Sequence, residues 1–186
     1  MGRCELSMAR VPLVVRDDLP ADLQHCLDRP ISVLRSLGNA PGALQVHHEF
    51  AEWIRWKSET DPRLRQLLII TVALLTKSDY EFTHHVALGQ QFGVTASDVD
   101  NLRSMLATGD DRGFTESEIA AFSMAQQVCR GGDVDDDCWA DLSQHYTEEL
   151  ITEMVVIVSF YVYVATVLRV FRVETEPEYE KYREKK

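Results

Sequence analysis

The sequence predicts an all-α fold. Helix-start signals at Asp61-Pro62, Thr95 with Asp98 and Thr115 with Glu118 are matched by glycine stops at Gly93 and Gly131-Gly132. Residues 67–75 are an almost unbroken apolar run, which fits a helix buried on most sides. The last apolar segment, from Thr147 to about Arg172, is rich in Val, Ile, Tyr and Phe and could suit a strand by propensity. Its length decides for helix, since strands usually run about 3–10 residues.

Residues 1–18 read as an irregular arm. Pro20 opens a short helix to about Asp28, Pro30 interrupts it, and Ile31 to Leu37 forms another before Gly38-Asn39. Pro41 at a first helical position starts a helix to about Lys57, with Val46, Phe50, Trp53 and Ile54 on its apolar side. Asp61 caps and Pro62 opens the next, to about Lys77. Ser78 begins a helix that Gly93 stops. Thr95 starts one to about Leu106, and 108–113 is a polar loop. Thr115-Glu116-Ser117-Glu118 is a capping box whose helix ends at Gly131-Gly132. Another covers about Asp135 to Tyr146, and Thr147 caps the last. The tail, 174–186, is charged, contains Pro177 and reads as a second arm. The domain proper is thus expected over 19–173.

One domain of this length can bury a real core. The net charge of -11 argues against nucleic acid, whose phosphates need a basic face, and against an anionic membrane surface. The run Met154 to Leu168 falls short of the roughly 20 residues that span a bilayer and is expected to be buried in protein. Cys4, Cys26, Cys129 and Cys138 show no CxxC spacing and no tight Cys/His cluster. Without an N-terminal apolar core of signal-peptide length, the expectation is a reducing cytoplasm, free thiols and no metal.

Chemistry concentrates in Ser78-Asp79-Tyr80-Glu81-Phe82-Thr83-His84-His85. On a helix, Glu81 lies one turn from both His84 and His85. A carboxylate so placed can hold an imidazole's tautomer, raise its pKa above the reference of about 6.5 and make it a general base. The same spacing also serves a core histidine bonded to its neighbour. Ser78 suits an N-cap as well as a site, and Tyr80 and His84 suit core packing as well as a pocket. Gln66 sits on the buried helix, where its amide needs partners. Glu81 to His84 is half of a di-iron ExxH signature, but His25, His47, His48 and His145 lack a glutamate three residues earlier. His47 and His48 precede Trp53 and Trp56 on one helix, as a packed face or a pocket wall. Asp133 to Asp137 lacks EF-hand spacing and reads as a solvated helix start.

The buried helix near Pro62-Arg63-Leu64-Arg65, the Ser-x-Tyr-Glu-x-x-His-His segment, Phe92-Gly93-Val94-Thr95, Phe114-Thr115-Glu116-Ser117-Glu118 and the Phe160-Tyr161 helix follow one another in a known order. Over about Leu19 to Val173 this resembles the carboxymuconolactone decarboxylase family, which includes the AhpD-like alkylhydroperoxidases. Glu176-Pro177-Glu178-Tyr179 resembles the tail of an uncharacterised branch. The resemblance implies an AhpD-like helical bundle assembled as a homo-oligomer, trimer or hexamer. In the peroxidases the segment reads Cys-x-x-Cys-x-x-x-His with an upstream glutamate. Here those positions are Ser78, Glu81, His85 and Gln66.

A serine hydroxyl cannot be oxidised and resolved as a disulfide, and glutamine cannot carry a carboxylate's proton. Thiol peroxidase chemistry is therefore not expected. The decarboxylase branch needs no cofactor as far as the resemblance implies. It points to His85 as acid/base, Glu81 as its orienter, and Ser78, Tyr80, His84 and Gln66 as lining for a small-molecule substrate. The other class of function left open is a catalytically silent binding or assembly module.

Overall fold

The computed structural model describes residues 8–183, and every regular element among them is helical. The expected all-α class is what the chain adopts. Cys4 and the outer ends of both expected arms lie outside the described residues. The chain groups into two compact units, Met1–Ser58 with Thr166–Glu178, and Glu59–Ala165 with Tyr179–Lys186.

In the first unit, α1 covers Ser32–Leu37 and α2 covers Pro41–Trp56. The helix expected from Pro20 is instead a turn followed by a 3-10 helix, Gln24–Leu27. Its bonds run to the third residue back, as in Leu23 N–H to Pro20 O at 2.9 Å and Cys26 N–H to Leu23 O at 3.0 Å. Residues 12–14 of the irregular arm are anchored. The Arg35 guanidinium donates to Leu13 O at 2.9 Å and Val14 O at 3.1 Å, and Asn39 Nδ2 donates to Pro12 O at 2.8 Å. Gly38 permits this approach, because a Cβ there would stand 2.9 Å from Val14 Cβ. Glu176 accepts the Ser32 N–H at the start of α1, which satisfies one of that helix's orphan donors.

The second unit is built around α3, Pro62–Thr76. Asp61 accepts from Leu64 N–H at 2.9 Å, Pro62 occupies the first turn, and Lys77 ends the helix at φ 54°. All ten residues from Leu64 to Ala73 are buried. Around it stand α4 (Asp79–Gly89), α5 (Ala96–Thr108) and α6 (Glu116–Gly131), with α7 (Asp136–His145) against α6. Thr95–Asp98 and Thr115–Glu118 both close reciprocal capping boxes. Helix α4 ends earlier than the Gly93 stop predicts. Gly89 closes it, and a 3-10 turn, Gln90–Phe92, leads to Gly93 at φ 86°. The chain folds back so tightly that a Cβ on Gly89 would sit 3.0 Å from Val94 Cγ2, with Val94 N–H bonded to Gly89 O at 2.9 Å. Helix α5 runs two residues past its expected end, to a left-handed Gly109.

Helix α8, Glu148–Phe171, is long and apolar enough by composition to cross a membrane. Its side chains at Ile151, Met154, Ile157, Val158, Tyr161, Val164 and Leu168 are nonetheless buried in protein, at the spacing of one helical face. Glu153 also turns inward, where it accepts from Thr60 N–H and Thr60 Oγ1, both at 2.9 Å, and from Glu59 N–H at 3.2 Å. Those bonds offset the cost of burying its carboxylate. The tail likewise takes up structure, as a 3-10 helix at Pro177–Tyr182.

Candidate functional site

Helix α4 carries the site because its N-terminus is fixed in place. Ser78 Oγ accepts from Glu81 N–H at 3.4 Å, and Lys77 in the left-handed region turns the chain between α3 and α4. The two helices then pack side by side, which brings Gln66 to His85 across 19 residues of sequence. Gln66 Oε1 and His85 Nδ1 are 2.8 Å apart. An amide oxygen only accepts, so Nδ1 carries the hydrogen and the Nε2 lone pair points elsewhere. It points to Glu81, whose Oε2 lies 3.5 Å from Nε2 on the same helix.

That separation is within ion-pair range, yet Glu81 Oε2 forms no hydrogen bond among the described residues. The two facts agree once the charge is considered. Glu81 is 3% exposed, and burial pushes its carboxyl from 4.5 up to about 8. At neutral pH the group is mostly a neutral acid, so no full ionic attraction draws it to the imidazole. Glu81 carries its proton 3.5 Å from His85 Nε2, and Gln66 fixes the ring at its other nitrogen. Gln66 is 2% and His85 7% exposed.

The remaining expected site residues do other things. Ser78 is the N-cap just described. Tyr80 stacks on His84 with centroids 4.3 Å apart, and His84 stacks on Tyr179 at 3.8 Å, which makes a three-ring column. Tyr161 of α8 stands edge-on to His85 at 4.8 Å and 85°. Sequence reasoning missed Tyr161 and Tyr179 as neighbours of the two histidines. Neither has a local signal, since both contacts depend on packing between distant segments. A separate cleft of about 310 Å³ opens between Phe82, Val94, Val99, Arg103 and Tyr182, and neither Glu81 nor His85 lines it.

The expectation of no tight Cys/His cluster needs correction. His25 and Cys26 converge with His48, their donor atoms all within 4.8 Å of one another. Sequence spacing hides this, because the cluster forms only when α2 packs on the 3-10 helix at Gln24–Leu27.

Residues 41–127 match the carboxymuconolactone decarboxylase family. No curated protein is significantly similar in sequence. The fold is shared with solved structures of low sequence identity. One is a peroxidase-related protein with an alkylhydroperoxidase AhpD core from Ralstonia eutropha JMP134, at 14% identity and TM-score 0.79, covering 94% of this chain and 95% of that one. Another is a cysteine-to-alanine variant of the debrominase Bmp8 in complex with 2,3,4-tribromopyrrole, at 14% identity and TM-score 0.78, covering 95% and 97%. A third is a peroxidase-related protein from Silicibacter sp. TM1040, at 15% identity and TM-score 0.76, covering 96% and 97%. The chain thus has the AhpD-like helical fold, and its segment 41–127 is similar to the carboxymuconolactone decarboxylase family.

Proposed function

We propose that this chain is a cofactor-independent, carboxymuconolactone-decarboxylase-like lyase that acts on a small carboxylated or lactone substrate. The observation that carries this reading is the contact chain Gln66–His85–Glu81, with a neutral buried acid at its end. Loss of CO2 from a carboxylate leaves an electron pair on carbon, and one proton must be supplied to it. Glu81 carries one such proton beside His85. An acid with a pKa near 8 still carries it at neutral pH and is matched to giving it up there. A neutral Glu81 also does not repel an anionic substrate, as an ionised one would. Gln66 orients the imidazole in this scheme, and water returns the proton after each turnover.

The thiol chemistry of the AhpD-like peroxidases is not part of the proposal, because no cysteine occurs between Cys26 and Cys129. Nor is debromination, since 14% identity to the debrominase carries fold alone. The proposal includes a homotrimer or homohexamer, supported by the exposed Trp56, Trp139 and Tyr163, and a cytoplasmic setting, supported by the free thiols of Cys26, Cys129 and Cys138.

The near-complete burial of Gln66, Glu81 and His85 favours a second reading, a catalytically silent binding or assembly module. A panel of carboxylated lactones, carboxymuconolactone among them, separates the two when followed by CO2 release and mass spectrometry. The enzyme reading expects turnover that His85→Ala abolishes in a folded protein and Glu81→Gln lowers. No turnover on the panel, together with unfolding of His85→Ala, would establish the silent module.

A further inference from the structure

His25, Cys26 and His48 share no residue with the Gln66–His85–Glu81 chain. They form a second concentration of chemistry, on the 3-10 helix Gln24–Leu27 and on α2. We propose that these three side chains form a divalent transition-metal site of the zinc class, with water as the fourth ligand.

The spacing of the donors fits a tetrahedral ion. Zinc–sulfur bonds of about 2.3 Å and zinc–nitrogen bonds of about 2.0–2.1 Å give tetrahedral edges of about 3.6 Å from S to N and about 3.4 Å from N to N. Cys26 Sγ and His25 Nε2 are 3.6 Å apart, already the metal-bound length. No pair of donors exceeds 4.8 Å, so the longest edge must shorten by at most about 1.4 Å, which a side-chain rotation at the half-buried His48 supplies.

The histidine nearest the thiol is already in the ligating tautomer. His25 Nδ1 lies 2.9 Å from Asp22 O, and a carbonyl only accepts, so Nδ1 carries the hydrogen and Nε2 offers its lone pair beside Sγ. A backbone carbonyl holding the distal nitrogen is the usual support for a metal-bound histidine. The His25 and His48 rings meet edge to face, at 5.4 Å and 86°, so they do not stack and close the space between them.

The electrostatic setting suits a cation. Glu49 and Asp28 both carry negative charge close enough to act on the Cys26 sulfur. Cys26 is buried and fixed, whereas His25 is exposed. An ion held here would keep one face open to water, the three-ligand arrangement of exchangeable rather than closed zinc sites. A mixed imidazole and thiolate donor set selects zinc-class ions over magnesium or calcium, which prefer oxygen.

The test uses the full-length protein, reduced and stripped with a chelator, and titrated with Co2+ as a spectroscopic probe. Zn2+ is then titrated against a chromophoric chelator. One equivalent of Co2+ should bind with tetrahedral d–d intensity and a thiolate-to-cobalt charge-transfer band. Cys26→Ser should remove that band, whereas Cys129→Ser and Cys138→Ser leave it intact. His25→Ala and His48→Ala should each weaken Zn2+ binding at least about tenfold with unchanged far-ultraviolet circular dichroism. Because Cys26 is buried, its variant is paired with the two histidine variants, which carry the test alone if it fails to fold. The proposal is overturned by absence of stoichiometric binding, by a charge-transfer band that survives Cys26→Ser, or by Zn2+ affinity unchanged in His48→Ala.

Discussion

Gln66 Oε1 on α3 and His85 Nδ1 on α4 are 2.8 Å apart, so a helix-to-helix hydrogen bond sets the tautomer of the imidazole. The carboxylate expected to do so from the same helix stands at the opposite nitrogen, 3.5 Å away and protonated at neutral pH. Removing the amide should therefore free the ring. In Gln66→Leu, the nitrogen shifts of His85 should change from an Nδ1–H form to a tautomeric mixture. Any proton-transfer activity should fall about tenfold or more through misplacement. Gln66→Glu still offers an acceptor and should restore the tautomer. Unaltered nitrogen shifts in Gln66→Leu would remove Gln66 from this role.

Glu81 makes a signed prediction about pH. Its carboxyl is raised by burial from 4.5 to about 8 in the folded chain. Between those values the folded state holds a proton that the unfolded state has released, so unfolding free energy falls as pH rises. The contribution is fully present below about pH 4.5 and lost as pH rises through about 8, at no more than about 1.4 kcal/mol per pH unit. Glu81→Gln cannot ionise and should lack this slope. Urea unfolding from pH 5 to 8.5 should show the variant gaining on the wild type as pH increases. Parallel curves would mean that Glu81 is ionised in the folded protein.

Arg63 joins the starts of three helices. From the first turn of α3 it pairs with Asp98 of the α5 capping box and with Glu118 of the α6 capping box. Burial alone would raise the Asp98 carboxyl, but the bonds from Arg63 and Thr95 outweigh it and hold Asp98 below the usual carboxylate range. Arg63→Met keeps much of the stem and removes the charge. It should cost about 1–3 kcal/mol near pH 7, the range for charge-assisted bonds to partly buried groups. Stability from a depressed carboxyl is present above its unfolded pKa of about 3.9 and lost as pH falls below it. The gap between variant and wild type should accordingly narrow below pH 4. A loss independent of pH would assign the effect to packing.

These cases show how much the sequence made legible. Asp61-Pro62, Thr95 with Asp98 and Thr115 with Glu118 could be recognised because a cap acts within one turn; Asp61 accepts from Leu64 N–H, and the other two pairs bond to each other as their spacing implies. The end of α4 was misplaced because Gly89 is a tertiary requirement, set by the approach of Val94, whereas Gly93 is the local signal that pattern reading finds. At the candidate site, the one-turn proximity of Glu81 to His85 was legible. The Gln66 bond and the column of Tyr80, His84 and Tyr179 were not, since they need α3 beside α4 and the tail against α4. His25, Cys26 and His48 were hidden in the same way.

The described cysteines predict no thiol peroxidase. Cys26, Cys129 and Cys138 are free and lie on three different elements, none of them α3 or α4. Burial pushes the Cys129 thiol up to about 11, and burial together with Asp135 and Asp141 raises that of Cys138. Both are thiols rather than nucleophilic thiolates at neutral pH. Peroxide consumption with a dithiol reductant should stay at background. Turnover above background would contradict this, whether it disappeared with one cysteine or survived replacement of all four.

Assembly can be tested on the outward face of α8. Val156, Ser159, Tyr163, Thr166 and Val170 recur at three- and four-residue intervals, and Tyr163 and Val170 are 42% and 50% exposed. The exposed Tyr163 and Val170 on this face make it a surface suited to a second copy. Light scattering at micromolar concentration should therefore give a multiple of 21.2 kDa. Tyr163→Glu would bury a charge in such an interface at a cost of several kcal/mol and should shift the protein to smaller species with its helix content retained. A wild-type monomer would remove the interface, and an unchanged multimer in Tyr163→Glu would move it to another face, such as that of Trp56 or Trp139.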